Sequence, residues 1–172
     1  IRGEGIDHVI TDEVKLPLSK VEFHNKNLCY TNACVEFINY LTVRHRIQAY
    51  PIGKALVKLK SIKHKGRTLR PKFLKWGVWV GDDATFPMCE IRSDTNDILG
   101  KYYNNQTFKI VEFLPPYHEA MLECRITGNK IVVNELQLFQ HFAYNYATTI
   151  HKSQGDTYEE NYNIWEWDKT YD

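Results

Sequence analysis

One segment of the chain, residues 76–133, alternates apolar and polar residues, and this change of period limits the folds open to the chain. Five short runs in it are typical of strands with one buried face: 76–80, 87–91, 107–113, 121–126 and 130–133. Sequences that favour turns separate them, namely Gly81-Asp82-Asp83, Asn104-Asn105, Pro115-Pro116 and Gly128-Asn129. Five short strands at this spacing predict a small antiparallel β-barrel.

The segments on either side have an α/β pattern. Leu28-Cys29-Tyr30 predicts a brief strand, and Asn32 suits the N-cap of a helix in which Val35, Ile38, Leu41 and Val43 recur at helical spacing. The pattern returns near Phe142, with a strand through 146–150 and a last strand over 162–167, whereas residues 1–26 are weakly patterned. The barrel is therefore predicted to interrupt an α/β domain.

Length and composition set the class of protein. The 172 residues are 43% hydrophobic and 25% charged, which predicts an ordered globular protein, and the length predicts one domain, alone or with a small insertion. The four cysteines form no Cys-x-x-Cys pair and are expected to be reduced, buried thiols without zinc, as in an intracellular protein of the nucleus or cytoplasm. No apolar stretch is long enough to span a membrane, and the first residues, Ile1–Glu4, lack the pattern of a signal peptide. Without an initiator Met the sequence is interpreted as a piece of a longer protein.

Charge is unevenly distributed although the net charge is only +1. From Lys58 to Lys75 the chain has six Lys, two Arg and one His and no acidic residue, whereas its last residues are acidic. A net charge this small creates no global field that would attract nucleic acid. Two interpretations of the basic segment stay open: a solvated loop, or a surface that follows a nucleic-acid backbone through Lys63, Lys65 and Arg67.

The most informative stretch is 146–155, Tyr-Ala-Thr-Thr-Ile-His-Lys-Ser-Gln-Gly. An apolar strand enters a polar turn that brings together hydroxyls, an imidazole, an ammonium group and main-chain N–H groups. Open α/β sheets bind ligands at the carboxyl ends of their strands, and phosphates accept hydrogen bonds from all of these donors. The stretch therefore predicts a phosphate-binding turn, the alternative being an ordinary polar turn.

This stretch resembles motif V of superfamily 1 helicases, especially those of the RecD, Pif and Dda type, without a gap. Leu28-Cys29-Tyr30-Thr31-Asn32 with Ile38-Asn39, and Ile1-Arg2-Gly3-Glu4-Gly5 before it, are similar to elements that precede motif V in these enzymes. The resemblance implies an α/β fold in which a RecA-like parallel sheet with helices is interrupted by a small antiparallel β-barrel insertion. Residues 1–74 and 136–172 would form an incomplete second RecA-like domain, and residues 75–135 the barrel. The sequence departs from the pattern at Asn104-Asn105, where Asn-Gly is usual, and at Asp156-Thr157 after the motif.

The resemblance also implies roles and ligands. Thr149, His151 and Ser153 would contact phosphates of single-stranded DNA, with the charge of Lys152 nearby, whereas Gln154, Gly155 and Asp156 would face the ATP cleft. The alternatives are a structural hydrogen bond for His151, simple solvation for Lys152, and a cap rather than a cleft role for Asn32.

The whole protein would be an ATP-dependent DNA helicase with Mg²⁺. The sequence has no Gly-Lys-Ser/Thr loop and lacks the acidic metal-binding motif and the Arg-bearing motif, so the catalytic residues and the Mg²⁺ ligands are expected outside this chain. Expected partners are single-stranded DNA, the missing N-terminal RecA-like domain and replication proteins. The Asn-, Tyr- and Lys-rich composition suits an AT-rich genome such as that of a large DNA virus, whose replication site would then be the location.

The sequence leaves two other functions open. Gly81-Asp82-Asp83 imitates the metal-binding hairpin of viral RNA polymerases, in which paired carboxylates hold two metal ions. The second alternative is a freestanding nucleic-acid-binding module without catalysis, which would use the basic segment and exposed aromatic residues. A phosphate-binding loop upstream and a Ser-Arg motif downstream would distinguish a helicase from both.

Overall fold

The computed structural model describes residues 26–54, 56–58, 61–114, 118–154 and 161–166. Its elements, in chain order, are β1 (Asn27–Cys29), α1 (Asn32–Ala49), a 3-10 helix (Pro51–Lys54), β2 (Ile62–His64), β3 (Arg67–Leu69), β4 (Glu90–Ser93), β5 (Thr107–Leu114), β6 (Glu119–Cys124), β7 (Lys130–Asn134), α2 (Glu135–His141), β8 (Phe142–Tyr144), β9 (Ala147–Thr149) and β10 (Asn163–Ile164). Among the described residues, no helix has the length and apolarity that crossing a bilayer requires.

The chain divides into two compact units. The described part of the first comprises residues 26–45, 145–154 and 161–166, and the second spans residues 46–144 with the gaps given above. All of the segment 75–135 lies within the second unit, and the boundaries predicted for a barrel domain remain a prediction. The similarity of Ile1–Gly5 to a helicase element falls outside the described residues.

A three-stranded parallel sheet forms the first unit, in the order β10-β1-β9. Strand β1 pairs with β9 in the register Asn27↔Ala147 to Cys29↔Thr149, which confirms the prediction that 28–31 and 146–150 belong to one sheet. Strand β10 pairs with the other edge of β1. The sheet is continuous with α1 through residues 30 and 31, so the α/β class with a parallel sheet is confirmed.

Helix α1 packs on this sheet through residues that recur every three or four positions. Cys34, Ile38 and Leu41 are buried in one cluster with Ala147 and Trp165. The expected N-cap was wrong by one residue: Thr31, not Asn32, caps the helix, because its Oγ1 accepts the amide of Cys34 at 3.2 Å. The side chain of a cap accepts from the second or third helical amide, and Cys34 is the third.

Two buried asparagines fix the position of β9. Oδ1 of Asn39, on α1, accepts the amides of Tyr146 at 3.1 Å and Ala147 at 2.9 Å. Nδ2 of Asn27 donates to the carbonyl of Tyr146 at 2.8 Å. Buried main-chain groups need such partners, so these amides set where β9 enters the sheet.

The second unit is built on a five-stranded antiparallel sheet in the order β7-β6-β5-β4-β8. Four predicted strands are confirmed as β4, β5, β6 and β7, with bounds shifted by a few residues. Among the described residues the end strands β7 and β8 do not pair with each other, so closure into a barrel stays a prediction. Helix α2 follows β7 through a capping box in which the Asn134 side chain accepts the amide of Gln137 and Gln137 accepts that of Asn134.

The strand predicted over 76–80 was wrong. Gly77 has φ +97°, outside the extended region, and Val78 makes only an isolated antiparallel bridge with Val57. A Cβ at Gly77 would lie 2.9 Å from both the Leu56 side chain and the Val57 carbonyl oxygen. The fifth strand of the sheet is instead β8, which the sequence assigned to the returning α/β pattern.

Aromatic packing fills the second unit. Phe142, on β8, lies with its ring centroid 5.0 Å from that of Tyr102 and 6.0 Å from that of Phe108. The Tyr102 hydroxyl is 2.6 Å from Nδ1 of His141, and burial raises the pKa of Tyr102 to about 12. The four cysteines are buried and none forms a disulfide.

Candidate nucleic-acid interface

The segment that resembles motif V enters its turn where β9 ends. The amide of Ile150 donates to the carbonyl of Cys29 at 2.9 Å, the last main-chain bond between these two strands, and the chain then turns through 150–154. The amide of Ser153 donates to the carbonyls of Thr149 at 3.1 Å and Ile150 at 3.2 Å. The motif therefore folds as a tight turn at the carboxyl edge of the parallel sheet, where α/β folds bind their ligands.

Two predicted phosphate ligands, Thr149 and Ser153, are part of the framework of this turn. Each is only 8% exposed. The Thr149 hydroxyl accepts the amide of Lys152 at 3.2 Å, and the Ser153 hydroxyl donates to the carbonyl of Ile150 at 2.8 Å. A hydroxyl has a single proton, so Ser153 cannot donate to a phosphate while it makes this bond.

The other side chains of the turn face outward. His151, Lys152 and Gln154 are exposed, and the main-chain N–H of His151 donates to no residue that the structure describes. An imidazole, an ammonium group and an amide N–H are all donors to phosphate oxygens. In the described part of the motif, 149–154, Thr149 and Ser153 are thus buried and shape the turn, whereas His151, Lys152 and Gln154 are accessible from solvent.

Glu166 follows β10, the strand that pairs with the other edge of β1, and the sequence did not reveal its role. The Glu166 carboxylate, 4% exposed, accepts the amide of Thr31 at 2.8 Å and lies 3.0 Å from the Thr31 hydroxyl through either oxygen. Between the two strand ends Tyr30 is half exposed. In the sequence Glu166 was one of several acidic residues near the end of the chain, and nothing in its neighbours marked it as buried.

Behind this edge the thiol of Cys29 is held neutral. A hydrogen bond with the Cys34 side chain, followed by burial and the electrostatic influence of Cys34 and Glu166, raises the pKa of Cys29 far above its usual range. The Cys29 thiol therefore behaves as a small apolar group of the core.

The described part of the basic segment contains a β-hairpin, and both interpretations of the segment, a solvated surface and a contact with nucleic acid, stay open. Strands β2 and β3 pair from Ile62↔Leu69 to His64↔Arg67, and Lys65 and Gly66 connect them with φ +48° and +75°. Two left-handed residues in a two-residue connection form the turn that favours tight hairpins. Lys63, Lys65 and Arg67 are exposed. Arg67 pairs with His64, the neighbour of Lys63 on β2, and successive side chains of a strand point to opposite faces. Lys63 and Arg67 therefore lie on opposite faces of the hairpin.

The Gly-Asp-Asp interpretation as a metal-binding hairpin is not supported by the geometry. The Asp82 carboxylate accepts the amides of Thr85 at 2.7 Å and Ala84 at 2.9 Å, and these bonds, with that of the Thr85 hydroxyl, lower the pKa of Asp82. Asp83 accepts the amide of Met88 at 3.2 Å. Both carboxylates serve the turn, and the described residues contain no group of three or more His, Cys, Asp or Glu side chains that could hold a metal.

Solved structures similar to this chain are those of Pif1 helicases from Bacteroides. Unliganded Pif1 from Bacteroides sp is 17% identical, with a TM-score of 0.47, over 90% of this chain and 50% of that one. Bacteroides Pif1 bound to ssDNA is 17% identical, with a TM-score of 0.43, over 93% of this chain and 41% of that one. The complex of Bacteroides Pif1 with ADP-AlF3 and ssDNA is 16% identical, with a TM-score of 0.46, over 95% of this chain and 39% of that one.

The chain therefore spans at most half the length of these structures. No protein-family model matches the chain, and no curated protein matches it. The assignment to the α/β class rests on the strand pairings of the chain itself.

The structure brings some of the predicted site residues together and leaves others apart. Thr149, His151, Lys152, Ser153 and Gln154 share one turn of the first unit, and Lys63, Lys65 and Arg67 share one hairpin of the second. Gly155 and Asp156 lie outside the described residues. Of the predicted nucleotide-cleft residues only Gln154 is described, and its exposed amide suits a hydrogen bond to a ribose or base but brings no charge for a triphosphate.

Proposed function

We propose that this chain is part of the second motor domain of a superfamily 1 DNA helicase of the RecD, Pif and Dda type. The observation that carries the proposal is the ungapped motif from Thr149 to Gly155, together with the position of its described part at the carboxyl end of β9. In the whole protein ATP would supply the free energy for movement along single-stranded DNA and for unwinding. The Mg²⁺ and ATP ligands would lie mostly outside this chain.

The turn supports a defined division of labour. His151, Lys152 and the N–H of His151 are the groups that would contact phosphates, because they are exposed at the strand end. Thr149 and Ser153 would act by holding the turn in shape, since their hydroxyls bond within it. A grip made of main-chain and side-chain donors to phosphates is independent of base sequence.

The test is a titration of labelled single-stranded oligonucleotide with the intact protein at several salt concentrations. Each phosphate neutralised on a single strand changes the slope of log K against log salt by about −0.7, so three or four contacts give roughly −2 to −3. Lys152→Ala is expected to reduce the slope by about 0.7, because it removes an ammonium group, whereas His151→Ala removes a hydrogen-bond donor and is expected to lower affinity. Both variants are expected to weaken DNA-stimulated ATPase more than basal ATPase.

Matched controls come from the second unit. His118 is exposed over 78% of its side chain, and Lys130 is exposed. His118→Ala and Lys130→Ala remove the same groups from residues that belong to neither predicted site, so neither is expected to change DNA affinity. If His151→Ala and Lys152→Ala leave affinity and DNA stimulation at the level of these controls, the assignment of motif V is wrong.

A freestanding nucleic-acid-binding module is the alternative function, and the exposed basic hairpin is the observation that favours it. The binding module and the helicase differ in whether the intact protein hydrolyses ATP. Sequence-independent binding of single strands by an intact protein that hydrolyses no ATP, with or without DNA, would select the module.

A further inference from the structure

We infer that Glu166 is a positioning residue for the motif V turn, which it holds through the end of β1. This inference rests on the proposed function. Glu166 follows β10 and has φ +57°, a left-handed conformation that a non-glycine residue seldom adopts. Such a conformation persists only where surrounding contacts over-determine it.

The contacts that impose this left-handed conformation are made by Trp165, just before Glu166, and by the Glu166 carboxylate itself. The amide of Trp165 donates to the carbonyl of Leu28 at 2.8 Å, and its indole Nε1 donates to Oδ1 of Asn27 at 3.0 Å. The next residue must then turn its carboxylate toward Thr31, where it accepts a main-chain and a hydroxyl hydrogen. The Glu166 carboxylate is only 4% exposed, and it is stabilised by these bonds and by the N-terminus of α1, which begins at Asn32.

Thr31 passes this constraint to the end of β1. The Thr31 hydroxyl donates its proton to Glu166 and accepts the amide of Cys34, so it links Glu166 to the first turn of α1. Two residues earlier, the carbonyl of Cys29 accepts the amide of Ile150, the first residue of the motif V turn. Glu166 therefore fixes the residues that join the middle strand to α1, and the middle strand in turn fixes where motif V leaves the sheet.

The carboxylate itself is not a ligand group. It is buried, and a negative charge would repel phosphate. A positioning role predicts that losing the charge lowers DNA affinity without changing the number of phosphates neutralised. A direct contact would instead change the salt slope, as expected for Lys152.

The experiment compares Glu166→Gln with Glu90→Gln in the intact protein. Glu90 is a matched control, since it is also a buried glutamate whose carboxylate accepts hydrogen bonds, but its partner Arg125 lies in the second unit. Glu166→Gln keeps the shape of the side chain but removes its charge and leaves one acceptor oxygen beside Thr31 instead of two, so its bonds to the two hydrogens of Thr31 are weakened. We expect a several-fold weaker affinity for single-stranded oligonucleotide with an unchanged salt slope, and faster amide hydrogen exchange at Ile150 and Ser153. Glu90→Gln is expected to change neither.

A second pair of variants keeps the inference testable if Glu166→Gln fails to fold. Thr31→Ser retains the hydroxyl and should resemble wild type, whereas Thr31→Val removes it and should accelerate exchange at Ile150 and Ser153 in the same way as Glu166→Gln. Exchange at these two amides that is no faster in Thr31→Val and Glu166→Gln than in Glu90→Gln would overturn the inference. If the wild type does not bind single strands, the proposed function fails, and the exchange measurements still decide whether Glu166 positions the turn.

Discussion

At the scale of single residues, the turn that carries motif V depends on side chains that it does not contain. Asn39 is the clearest case, because its buried Oδ1 accepts two main-chain amides at the start of β9. A leucine has similar size but no acceptor, so Asn39→Leu leaves both amides buried without their partner.

The expected cost of Asn39→Leu is about 2–4 kcal/mol in the free energy of unfolding, since an unsatisfied buried group costs about 1–3 kcal/mol. Denaturant titration followed by circular dichroism measures it. Asn161→Leu, the same substitution at an exposed position of the first unit, is expected to change stability by about 0.5 kcal/mol or less. Equal stabilities of the two variants would show that the Asn39 bonds contribute nothing.

At the scale of elements, the sequence was informative where one residue pattern had one structural explanation. Alternation predicted β5, β6 and β7 because each has one face in the core, as at Phe108, Ile110 and Leu122. The same alternation over 76–80 was misleading, because the φ of Gly77 depends on its close approach to Leu56 and Val57, which are distant in sequence. A phosphate-binding turn was predicted from the order of residues in 146–155 and stays a prediction, whereas Glu166 was missed because only the folded register shows it beside Thr31.

The hairpin β2–β3 offers a test in which shape and charge are separated. A Cβ at Gly66 would meet nothing within 4 Å, so Gly66→Ala acts only through the strain of φ +75°, about 1 kcal/mol. Lys65→Asn places a residue that tolerates the left-handed region beside Gly66 and removes one charge.

If the hairpin contacts a single strand, Gly66→Ala is expected to weaken binding at constant salt slope, and Lys65→Asn to reduce the slope by about 0.7. Both follow from oligonucleotide titrations against salt, with amide exchange over 62–69 as the measure of hairpin order. Gly128→Ala is the matched control, because Gly128 also has positive φ and an open surrounding, in the turn between β6 and β7. Equal DNA affinities of Gly66→Ala and Gly128→Ala would exclude a contribution of the hairpin.

At the scale of the whole molecule, charge is organised in local clusters. The net charge of +1 gives no long-range attraction for nucleic acid, so under the proposed function association would depend on the exposed residues of the turn after β9 and of the basic hairpin. Binding of this kind is sequence-independent and sensitive to salt, and it needs no chemistry within the chain.

The last prediction follows from the residues that the chain contains. Hydrolysis of ATP by helicases of this class needs a loop that surrounds the β- and γ-phosphates and carboxylates that hold Mg²⁺, and no Gly-Lys-Ser/Thr sequence occurs in these 172 residues. We expect the purified chain to release no phosphate from ATP, with or without Mg²⁺ and single-stranded oligonucleotide, while it still binds the oligonucleotide. Phosphate release is measured in parallel with fluorescence anisotropy of the labelled strand, and Lys152→Ala serves as the control for binding through motif V. Magnesium-dependent turnover that is abolished by substitutions within the chain would place the active site here and contradict the division of labour proposed for the whole protein.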